Sequence, residues 1–150
     1  MKKYDGHLKL NWIHNFNDSD GIAKMMAEAA LCVDRVKPRH SVDFLAAFAK
    51  DASHADENGF YQWAESNGID STSLKKCLVE KSNNELVSQH LDYSRKVGIV
   101  ANPTIWVEGR TLQGVVSSEQ LEKLIDESIR TKGSGKLAAL WRRIKFMVGI

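Results

Sequence analysis

Residues 97–114, reading VGIVANPTIWVEGRTLQG, restrict the fold of this 150-residue chain more tightly than any other stretch. A helical pattern stops at Gly98 and runs into an Ala-Asn-Pro-Thr corner. An apolar strand pattern, a Glu-Gly turn and a second strand pattern ending at Gly114 follow. Proline lacks the N–H that a sheet ladder needs, so it is tolerated only at the start of a strand, on an edge or at a bulge. Pro103 therefore marks a built corner at the entrance to a hairpin. X-Pro bonds are also the only peptide bonds that adopt cis at appreciable frequency, so Asn102–Pro103 is a cis candidate, the alternative being a trans-proline in an ordinary turn.

The elements around this corner alternate in type. Leu8, Leu10 and Trp12 against Lys9, Asn11 and Ile13 have the period of a strand with one buried face. A first helix starts among the cap candidates at 17–20 and runs to about Val36, where Lys37-Pro38-Arg39 breaks it. Ser41 caps a second helix with Phe44, Leu45 and Phe48 inward. A third covers residues 60–66, with Trp63 inward and Asn67-Gly68 as its stop. Asp70 or Ser71 starts a fourth, carrying Leu74, Cys77 and Leu78. The fifth begins at 82–84 and aligns Leu86, Val87, His90, Leu91, Ser94 and Val97. Beyond the hairpin, Ser117 and Gln120 form a capping box for a helix with Leu121, Leu124, Ile125 and Ile129 inward.

Length and a 43% hydrophobic content suffice for one domain with a real core. No apolar run approaches the roughly 18 residues that span a bilayer, and no apolar segment follows the basic Met1-Lys2-Lys3 start, so no export signal is legible. Charge is uneven: residues 131–150 carry +5 without an acid, leaving −3 on the rest. In this tail Leu137, Leu140, Trp141, Ile144 and Met147 or Val148 recur at helical spacing, behind Gly133-Ser134-Gly135. The pattern predicts a basic amphipathic C-terminal tail helix over residues 132–150, packed on the domain. The alternative is a helix lying on a membrane surface through residues 136–148, with Trp141 and Phe146 at the interface. No aromatic-basic platform supports nucleic-acid binding.

The five histidines, His7, His14, His40, His54 and His90, show no metal-ligand spacing, and no phosphate loop or nucleophile elbow is present. No cofactor or metal is expected. Cys32 and Cys77, 45 positions apart in helical patterns, read as small buried hydrophobes.

The corner and hairpin resemble the cis-proline loop of thioredoxin-fold proteins, specifically the DsbA-type thiol-disulfide oxidoreductases. That family's pattern is Gly-Val, two small residues, Thr-Pro-Thr, an apolar strand, Asn-Gly and a second strand ending in Gly. Val97-Gly98-Ile99-Val100, Pro103-Thr104, Ile105-Trp106-Val107, Glu108-Gly109-Arg110 and Gly114 fall in place, while Asn102 stands where Thr or Val is usual. Residues 7–16, HLKLNWIHNF, are similar to the strand after the family's active-site helix. His14-Asn15-Phe16 fit its closing corner, without the proline that usually follows. The resemblance implies an α/β, thioredoxin-like fold over residues 1–131, with an inserted helical subdomain at about 19–97.

It also implies a conflict. The family's chemistry, dithiol-disulfide exchange with cysteine-containing polypeptides, needs a Cys-X-X-Cys turn at a helix N-terminus, where the macrodipole lowers a thiol pKa. This sequence has none. The expectation is an N-terminally incomplete, redox-inactive member that lacks the first, central strand and the active-site helix. The alternative is a non-catalytic peptide-binding or assembly module. In the family that central strand lies between those at residues 8–13 and 104–107. Its loss would leave two bare edges to pair directly, to borrow a strand from another copy, giving a homo-oligomer, or to destabilise the fold.

The resemblance supplies the remaining expectations. Asn102 and Pro103 are the substrate-binding residues, where the backbone before the proline holds an extended peptide. Cys32 and Cys77 resemble the structural disulfide that some members carry in the helical insertion. The family works in the periplasm or another extracytoplasmic space, where disulfides persist.

Overall fold

The computed structural model describes residues 4, 8–17, 19–133 and 144–149, the last six as backbone. In chain order the elements are β1 (Leu8–Ile13), α1 (Gly21–Val36), α2 (Ser41–Lys50), a 3₁₀ turn (Ala52–His54), α3 (Glu57–Ser66), α4 (Ser71–Val79), α5 (Asn84–Lys96), β2 (Thr104–Val107), β3 (Arg110–Gln113), α6 (Ser118–Gly133) and β4 (Ile144–Gly149). They divide into two compact units. One comprises Met1–Asn15 and Tyr93–Ile150, the other Phe16–Asp92.

The Phe16–Asp92 unit is helical, and local chemistry sets its boundaries. Asp20 caps α1 by accepting from the Ala23 amide at 2.9 Å, and Asp70 caps α4 through the amides of Thr72 and Ser73. Helix α3 starts at Glu57, three residues ahead of the expected start, because Asp56 accepts from Gly59 N at 2.8 Å. Gly68, at φ +65°, ends that helix, with Ile69 N bonded to Ala64 O and Gly68 N to Glu65 O. Inside, Phe44 packs its ring against Phe48, Phe60 and Trp63 at centroid distances of 4.9–5.2 Å.

Cys32 on α1 and Cys77 on α4 are joined by a disulfide, with Cα atoms 5.8 Å apart, and both are buried. Asn83 Nδ2 lies 3.2 Å from Cys32 Sγ and 3.5 Å from Cys77 Sγ, while Asn83 Oδ1 accepts from the Arg35 guanidinium at 2.8 Å. A covalent bridge and a polar clamp thus tie α1, α4 and the α4–α5 connection together.

The other unit is built on a four-stranded sheet of order β1-β4-β2-β3. Strand β4 runs parallel to β1, from Leu8↔Ile144 to Ile13↔Gly149, and antiparallel to β2, from Val107↔Phe146 to Thr104↔Gly149. This corrects two expectations. Residues 144–149 are a strand and not part of a tail helix, so the membrane-surface alternative loses the helical stripe it required there. The edges of β1 and β2 do not face an empty slot, because the chain's own residues 144–149 fill it. The physical reason is visible in the segment: Ile144, Phe146 and Val148 alternate, and a site with unpaired N–H and C=O groups on both sides supplies a ladder to an alternating apolar strand. The rest of the expected tail helix, with Leu137, Leu140 and Trp141, lies outside the described residues.

One sheet face packs against α6. Ile105, Val107, Leu124, Ile125 and Tyr4 form the buried cluster, joined by Leu8, Leu10 and Leu112. Helix α6 opens on a closed capping box, Ser117 N to Gln120 Oε1 at 2.9 Å and Gln120 N to Ser117 Oγ at 3.2 Å. Arg110 at the start of β3 anchors it by bonding Glu127 at 2.8 Å and Ser128 Oγ at 2.9 Å. That guanidinium holds the Glu127 carboxyl below its ordinary range, chiefly through the hydrogen bond. The β2–β3 turn has positive φ at both Glu108 and Gly109, the geometry that matches strand twist in a two-residue hairpin.

Two outcomes follow. Reduction of the Cys32–Cys77 bridge, which closes a 45-residue separation, lowers stability by about 4 kcal/mol in the chain-entropy model, read as a drop in the urea midpoint with dithiothreitol. Met147→Pro removes an N–H from the interior strand and costs about 1–3 kcal/mol for each neighbouring group left unpaired, read in the same assay. An unchanged midpoint would place residues 144–149 outside the sheet.

Candidate functional site

The loop between α5 and β2 is held by bonds to three separate parts of the sheet unit. Helix α5 ends at Lys96, and Gly98, at φ +72°, closes it by allowing Ile99 N to reach Ser94 O at 2.9 Å and Gly98 N to reach Arg95 O at 3.1 Å. Residues 99–103 then turn the chain into β2. The Asn102–Pro103 peptide bond is cis.

Three sets of bonds fix the bend. Pro103 O accepts from Gly114 N at 2.7 Å, joining the loop to the end of the hairpin. Thr104, buried, donates its hydroxyl to Ala101 O. Asn102 and Asn15 form a reciprocal clasp: Asn15 Nδ2 donates to Asn102 Oδ1 at 2.9 Å, and Asn102 Nδ2 donates to Asn15 O at 2.8 Å. Asn15 lies two residues beyond β1, next to His14, which is buried at 3% exposure. The clasp thus ties the end of β1 to the residue before the proline, across 87 positions of sequence.

What these bonds leave open defines the chemistry. The side chain of Asn102 is fully engaged, yet among the described residues no intrachain bond uses its main-chain amide or carbonyl. Asn102 is exposed. Two apolar side chains stand in solvent close by in the chain, Val100 two residues before Asn102 at 83% exposure and Val115, next to the Gly114 that bonds Pro103 O, at 96%. Behind the bend, Thr104 also lines a cleft of about 210 Å³ between the end of α5, at Tyr93, Val97 and Ile99, and the sheet residues Ile13, Trp106 and Gln113. A main-chain donor and acceptor left without an intrachain bond among the described residues, in an exposed residue, are the parts needed to hold an extended peptide by strand-like pairing.

A family model described as thioredoxin matches residues 1–127. The chain belongs to the thioredoxin family. No curated protein and no solved structure matches it. In this thioredoxin-family chain the sequence-derived residues occupy two places. Asn102 and Pro103 form the bend of the sheet unit, whereas Cys32 and Cys77 are bridged within the helical unit and bring no thiol to the bend. Both cysteines of the sequence are consumed by that bridge. Among the described residues, no helix is long and apolar enough to cross a membrane, and no cluster of three or more His, Cys, Asp or Glu side chains could hold a metal ion.

The sequence pattern places His14 and Asn15 together in the corner after β1 and assigns neither a role at the bend. Asn15 is the residue that reaches the bend. Its only signal was its place in the His14-Asn15-Phe16 corner.

The clasp makes a measurable prediction. In a double-mutant cycle of Asn15→Ala and Asn102→Ala, the coupling energy is about 1 kcal/mol, as for a solvent-exposed pair of hydrogen bonds. Asn15→Ala alone speeds amide hydrogen exchange at Gly114, whose N–H is bonded to Pro103 O, with little change in the melting temperature.

Proposed function

We propose that this chain is a DsbA-type member of the thioredoxin family that docks extended polypeptides on the Asn102–Pro103 bend and is redox-inactive by itself. The observation that carries the docking reading is Asn102, an exposed residue whose side chain is bonded while, among the described residues, no intrachain bond uses its main-chain amide or carbonyl. Main-chain pairing recognises many sequences, which suits a family whose clients are polypeptides at large. The DsbA-type branch is supported by the separate helical unit, Phe16–Asp92, that lies in sequence between β1 and β2.

Composition supports redox silence. Dithiol exchange needs a thiolate that can attack and a second thiol that can resolve the mixed disulfide. The two cysteines here are buried and bonded to one another. That bridge also supports residence in an oxidising, extracytoplasmic compartment, since glutathione and thioredoxin keep cytosolic thiols reduced. The second reading, a non-catalytic peptide-binding or assembly module, rests on the same bend and differs in having no exchange partner at all.

Two measurements test the proposal. The chain adds nothing to the background rate of insulin reduction by dithiothreitol; acceleration would overturn redox silence. Titration with unrelated extended peptides shifts the amide resonances of Asn102 and Thr104, with affinities within about tenfold of one another because side chains contribute little. Shifts confined to other residues would overturn docking at the bend.

A further inference from the structure

Asn83 owes its place to the way α4 ends. Lys81 takes a left-handed backbone, φ +49°, with Lys81 N bonded to Leu78 O at 3.1 Å and Ser82 N to Cys77 O at 3.5 Å, the pattern of a Schellman turn. The turn folds the chain back over the Cys32–Cys77 bridge, and Asn83, 3% exposed, stands immediately before α5. An asparagine at that position ordinarily offers its side-chain oxygen to the amides of the helix it precedes. Here Oδ1 accepts from Arg35 at 2.8 Å instead. Arg35 has no acceptor atom, so this bond fixes which way the carboxamide faces and commits Nδ2 to the two sulfurs, at 3.2 Å from Cys32 Sγ and 3.5 Å from Cys77 Sγ.

A sulfur is a weak acceptor, so this buried donor is poorly satisfied while the bridge is closed. A thiolate in the same place accepts a stronger, charge-assisted bond. The carboxamide is therefore better matched to a broken bridge than to an intact one. The two cysteines are also unequal. Cys32 is the nearer to Nδ2, is 1% exposed, and lies four residues before the end of α1. Cys77 is 6% exposed and lies two residues before the end of α4, inside the last turn, where the helix carbonyls disfavour negative charge.

We propose that the Cys32–Cys77 bridge is a thiol-responsive site that opens in one direction, a small thiol becoming attached to Cys77 while Cys32 is released as a thiolate held by Asn83. The incoming thiolate attacks Cys77 Sγ, a new S–S bond forms there, and the electron pair of the old bond leaves with Cys32 Sγ. Cys32 can then attack Cys77 again, which expels the small thiol and restores the bridge. A second small thiolate attacking the attached thiol's own sulfur completes the reduction instead: the two small thiols depart as their disulfide and Cys77 takes a proton from water. Burial restricts the reagent to a small thiol, so the step gives the chain no activity toward a polypeptide disulfide. The site lies wholly within the Phe16–Asp92 unit and does not depend on docking at the bend.

The direction of opening is the test. The unmodified full-length protein is treated with 2-mercaptoethanol at neutral pH, stopped with acid at early times, and the attached thiol is located by peptide mass spectrometry. The expected result is at least about tenfold more adduct on Cys77 than on Cys32, the factor one charge-assisted hydrogen bond supplies. Equal labelling, as from an unfolded chain, or an excess on Cys32 overturns the proposal. Asn83→Asp keeps an acceptor for Arg35 but offers the sulfurs no N–H. In that variant the Cys77 preference falls to within about threefold of equal labelling. Retention of the full preference overturns the part given to Asn83.

Discussion

Backbone pairing of residues 144–149 on both of their sides is the constraint from which the sheet unit follows. Without it, no strand among the described residues pairs with β1, and the β2–β3 hairpin keeps only its own pairing and its packing on α6. With it, Leu8 and Leu10 of β1 and Ile105 and Val107 of β2 join one buried cluster under α6. Burial of apolar side chains on that face and hydrogen bonding across the slot therefore depend on the same six residues.

The docking bend illustrates how a loop is made rigid and yet remains available. Ala101 O, Pro103 O and the Asn102 side chain are each satisfied within the chain, by Thr104, Gly114 and Asn15. Each bond removes a way for the loop to collapse onto itself, and none touches the Asn102 main chain. Preorganisation of this kind lowers the ordering cost of binding without adding contacts. The disulfide belongs to a different task. Buried between α1 and α4 and clamped by Asn83, it constrains the helical unit.

Most features governed by neighbouring residues were legible in the sequence, though Ser41 does not cap α2, which starts at Ser41 after His40 with no side-chain cap bond, and contacts between opposite ends of the chain were not. The Asp20 cap, the Ser117–Gln120 box and the Gly68 and Gly98 helix ends each need only a few consecutive residues, and all appear where the pattern places them. Helix α3 was placed three residues late because Asp56 was passed over as a cap. Ile144, Phe146 and Val148 fit a short strand as well as Leu140, Ile144 and Met147 fit a helix, and a six-residue window cannot separate the two periods. Only the slot between β1 and β2 decides, and it is assembled from opposite ends of the chain. The Asn15–Asn102 clasp was invisible for the same reason.

That distance has a consequence for biosynthesis. Leu8 leaves the ribosome long before its register partner Ile144 is made, an interval of roughly 7–27 s at ordinary elongation rates of ~5–20 residues per second. The helical unit, whose contacts are local and whose cysteines emerge early, can collapse during translation. For the whole of that interval the nascent β1 lacks the strand it pairs with in the finished sheet, so the sheet unit closes only after residues 144–149 have been made.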